Sequence, residues 1–280
     1  MKRRNVVAGR FYPGSRERLH TMIDSFFTEF GGLSPAGEPS SIGGLSPHAG
    51  YEYSGHVAAY TFAEFRKCLP ETFVVLGPNH TGMGSGVAIM TSGSWETPFG
   101  DLEVDEPLAL GIYSNCDIID DDVTAHAHEH SIEVQLPFIQ YIGGSKFVPI
   151  CLGMQDEETA YEVGCAIAEA AQEKKVGIVA SSDLTHFGAG YGFLPTGKEP
   201  IKWMQEIDGE ILDGIKRMSP EIVYTASRKT TACGYGCISA MITACKELGL
   251  KDSEILKYRT SYDVSRDTSF IVGYGAAVIK

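Results

Sequence analysis

The chain has 280 residues, 43% of them hydrophobic and 21% charged, with a formal net charge of -13. That length and balance suit a globular protein with a sizeable core. The acidity excludes nucleic acid and anionic membrane surfaces as partners, since both attract basic proteins. No window approaches the roughly 18 uninterrupted apolar residues of a membrane span. The basic start, Met1-Lys2-Arg3-Arg4-Asn5, is not followed by the apolar core of a signal peptide. The expected location is cytoplasmic.

In chain order, residues 5–12 read as an extended strand ended by Pro13-Gly14. Ser15 then caps a helix through about Phe30 with Leu19, Ile23, Phe26 and Phe27 on its apolar side. A loop rich in Gly, Pro and Ser leads to a short strand at 42–45, and Ser54 starts a second helix carrying Ala58, Phe62, Phe65 and Leu69. Phe73-Val74-Val75-Leu76 is a continuous apolar run cut off by Gly77-Pro78, the pattern of a strand buried on both faces. A hairpin is predicted from Trp95 to Val104, turning at Pro98-Phe99-Gly100. A helical pattern ending at Ile142 should kink or restart at Pro137.

Residues 146–152 form a strand that Pro149 pushes toward an edge, and a helix at 157–173 precedes a second buried strand at 176–180. Helices follow at 200–217 and after Ser219, and Cys233-Gly234 opens another, with Gly249 placed to end it. Strands at 254–262 and 269–279 finish the chain. Strand and helix alternate throughout without a linker or repeat. The prediction is one α/β domain over residues 1–280, with a central mixed, mostly parallel β-sheet flanked by helices.

Three histidines follow apparent strand ends: His48, His80 and His186. Ligands in open α/β sheets bind beyond the carboxyl ends of the strands, so neighbouring strands would bring these imidazoles to one crevice. Asp183 stands three residues before His186, as an acid/base partner, a metal-site orienter or an ordinary turn cap. The seven cysteines are scattered, with no Cys-x-x-Cys, and read mostly as buried thiols. Cys233 differs, because it precedes a helix start where unpaired N–H groups favour thiolate. His126, His128 and His130 alternate; as a strand they would form a metal clip, and as a helix start only one would stay near the site. Phosphate-loop, dinucleotide, serine-hydrolase-elbow and His-Glu-x-x-His motifs are missing from the sequence.

Five stretches in order resemble one family. They are Ser46-Pro47-His48-Ala49-Gly50-Tyr51-Glu52-Tyr53-Ser54-Gly55, Leu76-Gly77-Pro78-Asn79-His80, Glu129-His130-Ser131-Ile132-Glu133-Val134-Gln135-Leu136-Pro137, Ser181-Ser182-Asp183 with His186, and Cys233-Gly234. Together they resemble the Memo family from about residue 5 to the C-terminus. The resemblance implies a fold similar to class III extradiol dioxygenases. It implies metal ligands at His48, His80 and Cys233, binding iron (Fe2+) or copper. Asp183 and His186 then fall on pocket positions that handle protons. Tyr53, Asn79 and His130 also belong to the pocket, and Phe11 stands where vertebrate members carry Trp.

A thiolate in place of the carboxylate usual for oxygen-activating iron makes such a site softer and redox-sensitive. The resemblance also implies a radical-SAM pathway protein as a partner. Three functions are compatible with these residues. One is a metal-binding redox protein. The second is a non-catalytic module that takes a peptide or small ligand in a vestigial dioxygenase pocket. The third is a hydrolase using Cys233 and His186.

Overall fold

The computed structural model describes residues 1–195, 197 and 199–280. It begins with an edge strand, β1 (Lys2–Arg3), and with α1 (Arg16–Phe27), which buries Leu19, Ile23 and Phe27 at helical spacing. β2 (Ile42–Ser46) leads through a short loop to α2 (Tyr51–Lys67), and β3 (Thr72–Pro78) is buried at every position. Smaller elements follow: β4 (Val87–Ile89), the hairpin of β5 (Ser94–Thr97) and β6 (Gly100–Val104), α3 (Glu106–Ser114), β7 (Asp120–Asp121) and α4 (Val123–His126). After α5 (Leu136–Tyr141) come β8 (Lys146–Leu152), α6 (Glu157–Ala170) and β9 (Val176–Ser181). The last third holds β10 (His186–Phe187), α7 (Pro200–Lys216), α8 (Pro220–Ser227), α9 (Tyr235–Glu247), β11 (Ser253–Thr260), α10 (Tyr262–Ser265) and β12 (Ile271–Ile279).

Four parallel strands, in the order β8, β3, β9, β2, form the middle of one mixed sheet. β12 joins β2 antiparallel and pairs in turn with β11, while β4 and β6 flank β8. Parallel neighbours need long crossovers, and helices supply them. α2 packs against β2 and β12, and α9 covers β9, β2 and β3 with α6 beside it. α6 and α9 approach closely at Gly164, where an added Cβ would stand 2.7 Å from the Ala240 carbonyl oxygen. Because the central strands run the same way, the loops carrying His48, His80 and Asp183 all leave from one edge of the sheet.

The α/β architecture agrees with the sequence-based prediction, and several elements differ from it. Residues 5–12 are a turn rather than a strand, because the N–H groups of Val6 and Val7 donate to the Glu133 carboxylate instead of to a ladder. α2 starts at Tyr51, ahead of Ser54, whose hydroxyl donates back to the Ala49 carbonyl. β8 is interior, not an edge. Its outer flank meets β6 at Phe147 and β4 from Ile150, so Val148 and Pro149 fall between two short partners. A proline there forfeits no ladder bond on that side. α3 is an additional helix, capped by the Asp105 carboxylate on the Leu108 N–H. The stretch before α5 is not continuous helix either; only Glu133–Gln135 forms a 3-10 turn.

Candidate metal centre

His48 leaves the end of β2 and is almost wholly buried. Its backbone N–H donates to Asp183 Oδ1 at 2.8 Å. Its ring is oriented by Ser181 Oγ, 2.9 Å from Nδ1. Ser181 donates its only proton to the Ser131 carbonyl oxygen at 2.7 Å and accepts the Gln135 side-chain N–H at 2.8 Å. It therefore accepts from His48, so Nδ1 carries the proton and Nε2 is the bare nitrogen. Burial, and then the neighbouring His80, His130 and His186, hold the His48 imidazole well below its ordinary pKa.

His80 leaves the end of β3, and its Nδ1 lies 2.9 Å from Glu129 Oε1. A carboxylate can only accept, so this proton is also on Nδ1 and Nε2 is bare. Burial pushes the Glu129 carboxyl up, yet the His80 hydrogen bond and charge and the Ser131 N–H outweigh it and hold it at about 2. The same Oε1 stands 3.3 Å from His130 Nδ1 and accepts the backbone N–H groups of His130 and Ser131. Burial lowers the His130 pKa to about 4 against the pull of Glu129. The buried carboxylate thus orients the His80 imidazole, the arrangement that commonly backs metal-ligating histidines, and stands beside the His130 ring. One nitrogen from each of His48, His80 and His130 lies within 4.8 Å of the others.

Cys233 comes from the turn before α9. Its Sγ is 3.3 Å from His48 Nε2, 3.6 Å from the Asp183 carbonyl oxygen and 3.9 Å from Ser182 Oγ. Burial raises the thiol pKa, followed by the negative charge of Asp183. Gly234 N–H donates to Ser182 Oγ at 2.9 Å and fixes the turn. Asp183 is buried, and burial pushes its carboxyl up while His186 draws it down. His186 is held by a Thr231 Oγ1 bond to its backbone N–H (2.7 Å) and by the Thr231 carbonyl 3.2 Å from Nδ1.

A cavity of about 480 Å³ opens over this group. His48, His80, His130, Asp183 and His186 line it, together with Phe11 and Tyr53. Phe11 packs edge-on against the His130 ring at 4.9 Å between centroids. Cys233 lies beneath this lining, against His48. Asn79 is also outside it: its Oδ1 accepts from Thr81 and Gly82, and its amide donates to the Met83 carbonyl, tying the loop after β3. Of the alternating histidines, His126 is in the core against Trp95, His128 is exposed and His130 reaches the cluster.

Sequence reasoning placed His130 in the pocket wall; the structure places it in the imidazole cluster itself. It did not identify Glu129 as the shared acceptor, nor Ser181 and Gln135 as the orienting pair. The only sequence signal was the polar character of these residues beside apolar runs, which does not distinguish a buried acceptor from a cap.

The Memo-like protein family model matches residues 3–278. A MEMO1 family protein of Methanococcoides burtonii is 47% identical over 284 residues, covering 99% of this chain and 100% of that protein. One from Methanopyrus kandleri is 42% identical over 294 residues, covering 100% and 99%. One from Pyrococcus furiosus is 43% identical over 296 residues, again covering 100% and 99%. Among solved structures, an uncharacterized protein from Escherichia coli K12 shares the fold with a TM-score of 0.60 at 13% identity, covering 86% of this chain and all of that one. No helix among the described residues is long and apolar enough to cross a membrane. With a family model spanning nearly its whole length and relatives aligned from end to end, the chain belongs to the Memo family.

Proposed function

We propose that the chain holds a redox-active metal ion, iron first and copper as the alternative, at His48, His80 and Cys233, with His130 facing the same point. The observation that carries this reading is the cluster of three imidazoles with a thiol set against one of its bare nitrogens. Cys233 reaches His48, while the group whose nitrogens lie within 4.8 Å of one another is His48, His80 and His130. His48 and His80 each have Nδ1 committed to an acceptor, and His48 Nε2 stands 3.3 Å from Cys233 Sγ. Two donors on one ion, with bonds of about 2.1 Å to nitrogen and about 2.3 Å to sulfur, stand roughly 3.1–3.6 Å apart. The charge balance supports it too. The buried Arg3 pairs with Glu133, and the buried Glu129 carboxylate turns instead to His80, leaving a negative charge behind the imidazoles that a divalent ion would offset.

Two imidazoles and a thiolate suit iron and copper better than a hard cation such as magnesium. Bound there, the ion would supply one-electron chemistry toward oxygen or an organic ligand. The chain's own groups supply the rest. His186, with Nδ1 turned to the Thr231 carbonyl, presents Nε2 to the cavity to take or return a proton. Asp183 holds the His48 backbone in place.

Elemental analysis of the parent and of His48→Ala, His80→Ala, His130→Ala and Cys233→Ala tests the assignment. The parent should carry stoichiometric iron or copper, and the His80 and Cys233 variants should lose it with circular dichroism unchanged. Full occupancy in both variants would remove these residues from the site. The exposed rings around the cavity favour a second reading, a binding module without turnover. Oxygen uptake by the loaded protein with catechols separates the two.

A further inference from the structure

The cavity over the imidazole cluster has two unlike ends. Its floor is His48, His80 and His130. Its rim carries large rings left open to solvent, Tyr53 at 37%, Tyr191 at 46% and Phe270 at 49% exposure. Tyr191 stands edge-on to Phe270 at 5.9 Å and to His186 at 5.2 Å, so these rings form a wall rather than a scatter. Asp267 completes the rim. Its Oδ1 accepts from the Ser269 N–H and hydroxyl, bonds that keep the carboxyl ionised, while Oδ2 has no hydrogen-bond partner among the described residues. Asp183 adds a second carboxylate deeper in, and among the described lining residues there is neither lysine nor arginine. Arg266, next in sequence to Asp267, packs its guanidinium over Tyr262 instead.

We infer that this cavity selects small ligands whose outer end is an ammonium or another organic cation, and rejects those ending in carboxylate or phosphate. Aromatic faces attract cations and repel anions, and Asp267 acts in the same direction. A divalent ion on the floor does not reverse this at the rim. Its charge is offset beside it by the Glu129 carboxylate and the thiol it would ionise. The loaded site would therefore be polarised, accepting an oxygen donor at the floor and a cation at the mouth. This selectivity rests on the metal-site reading only for the orientation of the ligand; the rim is built from other residues.

Three probes share a phenol and a two-carbon chain and differ in the group at its end: tyramine, 4-ethylphenol and 3-(4-hydroxyphenyl)propionate. Anaerobic calorimetric titration into iron-loaded and metal-free protein should give tyramine about tenfold tighter binding than the acid, with 4-ethylphenol between them. Asp267→Asn retains an oxygen for the Ser269 bonds and should compress that range to about threefold. Phe270→Leu should weaken tyramine relative to 4-ethylphenol. Metal content of the same samples reports on the metal-site reading independently. Acid binding as tight as tyramine, an unchanged ladder in Asp267→Asn, or no binding of any probe to loaded protein would each overturn the inference.

Discussion

Ser181 fixes the tautomer of His48. Its hydroxyl oxygen lies 2.9 Å from Nδ1 of His48, and its one proton is already given to the Ser131 carbonyl. Ser181→Ala would leave both His48 Nδ1 and the buried Gln135 amide short of a partner. Such partners of metal-binding histidines typically contribute 10–100-fold in affinity. The expected result is a loss of that size in chelator competition, with about 1–2 kcal/mol of stability lost in urea. Unchanged metal affinity would show that the tautomer is set by something else.

Gly234→Ala tests the turn that carries the thiol. A Cβ there would come 2.7 Å from Ser182 Cβ and 2.8 Å from the Ser181 carbonyl oxygen, and neither can move without shifting β9. Overpacking of this kind costs about 1–3 kcal/mol. The substitution should also move Cys233 off His48. In cobalt-substituted protein the sulfur-to-metal charge-transfer band should weaken or vanish. A parent-like spectrum would mean that the turn accommodates the methyl.

Arg3 is a buried cation that holds the segment from His126 to Glu133. Its guanidinium lies 3.9 Å from the Trp95 ring centroid, pairs with Glu133 at 2.7 Å and donates to the carbonyls of His126 and Glu129 at 2.6 Å each. Removing one member of a buried pair costs about 3–5 kcal/mol. Arg3→Met should lose that much in thermal or urea unfolding, and Arg3→Lys less, because an ammonium keeps the charge but not the fork of donors. A loss below about 1 kcal/mol in Arg3→Met would contradict this.

Asp208 gives a pH test away from the cluster. It is buried on α7, accepts from the Thr185 N–H and hydroxyl and from Tyr258, and burial pushes its carboxyl from 3.8 up to about 6. A carboxyl with a raised folded-state pKa holds its proton more tightly in the folded chain. Its contribution is full below about pH 4, declines as pH rises to about 6 and is flat above. About two pKa units correspond to about 3 kcal/mol. Asp208→Asn should lack that segment of the parent's urea-stability profile. The same slope in both proteins would place its source elsewhere.

The central strands and the residues after them were legible because a buried parallel strand writes itself as an unbroken apolar run, as Phe73 to Leu76 does. His80 and Asp183 follow such runs and His48 a shorter strand, so their convergence came from topology alone. The Glu129 to Glu133 stretch was not legible. Glutamates four residues apart would share one face of a helix, yet Glu129 turns to His80 and Glu133 to Arg3. Their partners are set by packing between segments remote in the chain, which no local period records. Pro149 misled for a related reason: its strand is interior, but two short neighbours leave that position uncovered. α3 was readable, since Asp105-Glu106-Pro107 is a start signal with proline in the first turn.

The separation of 185 positions between His48 and Cys233 bears on how the protein is made. A ribosome has released the first imidazoles long before it reaches the sulfur, and a half-finished chain has no enclosed place for an ion. With the proposed ligand set, metallation would follow translation, once the segment carrying Cys233 has docked against His48. Chains stalled or cleaved ahead of that point would present the imidazoles without the thiol.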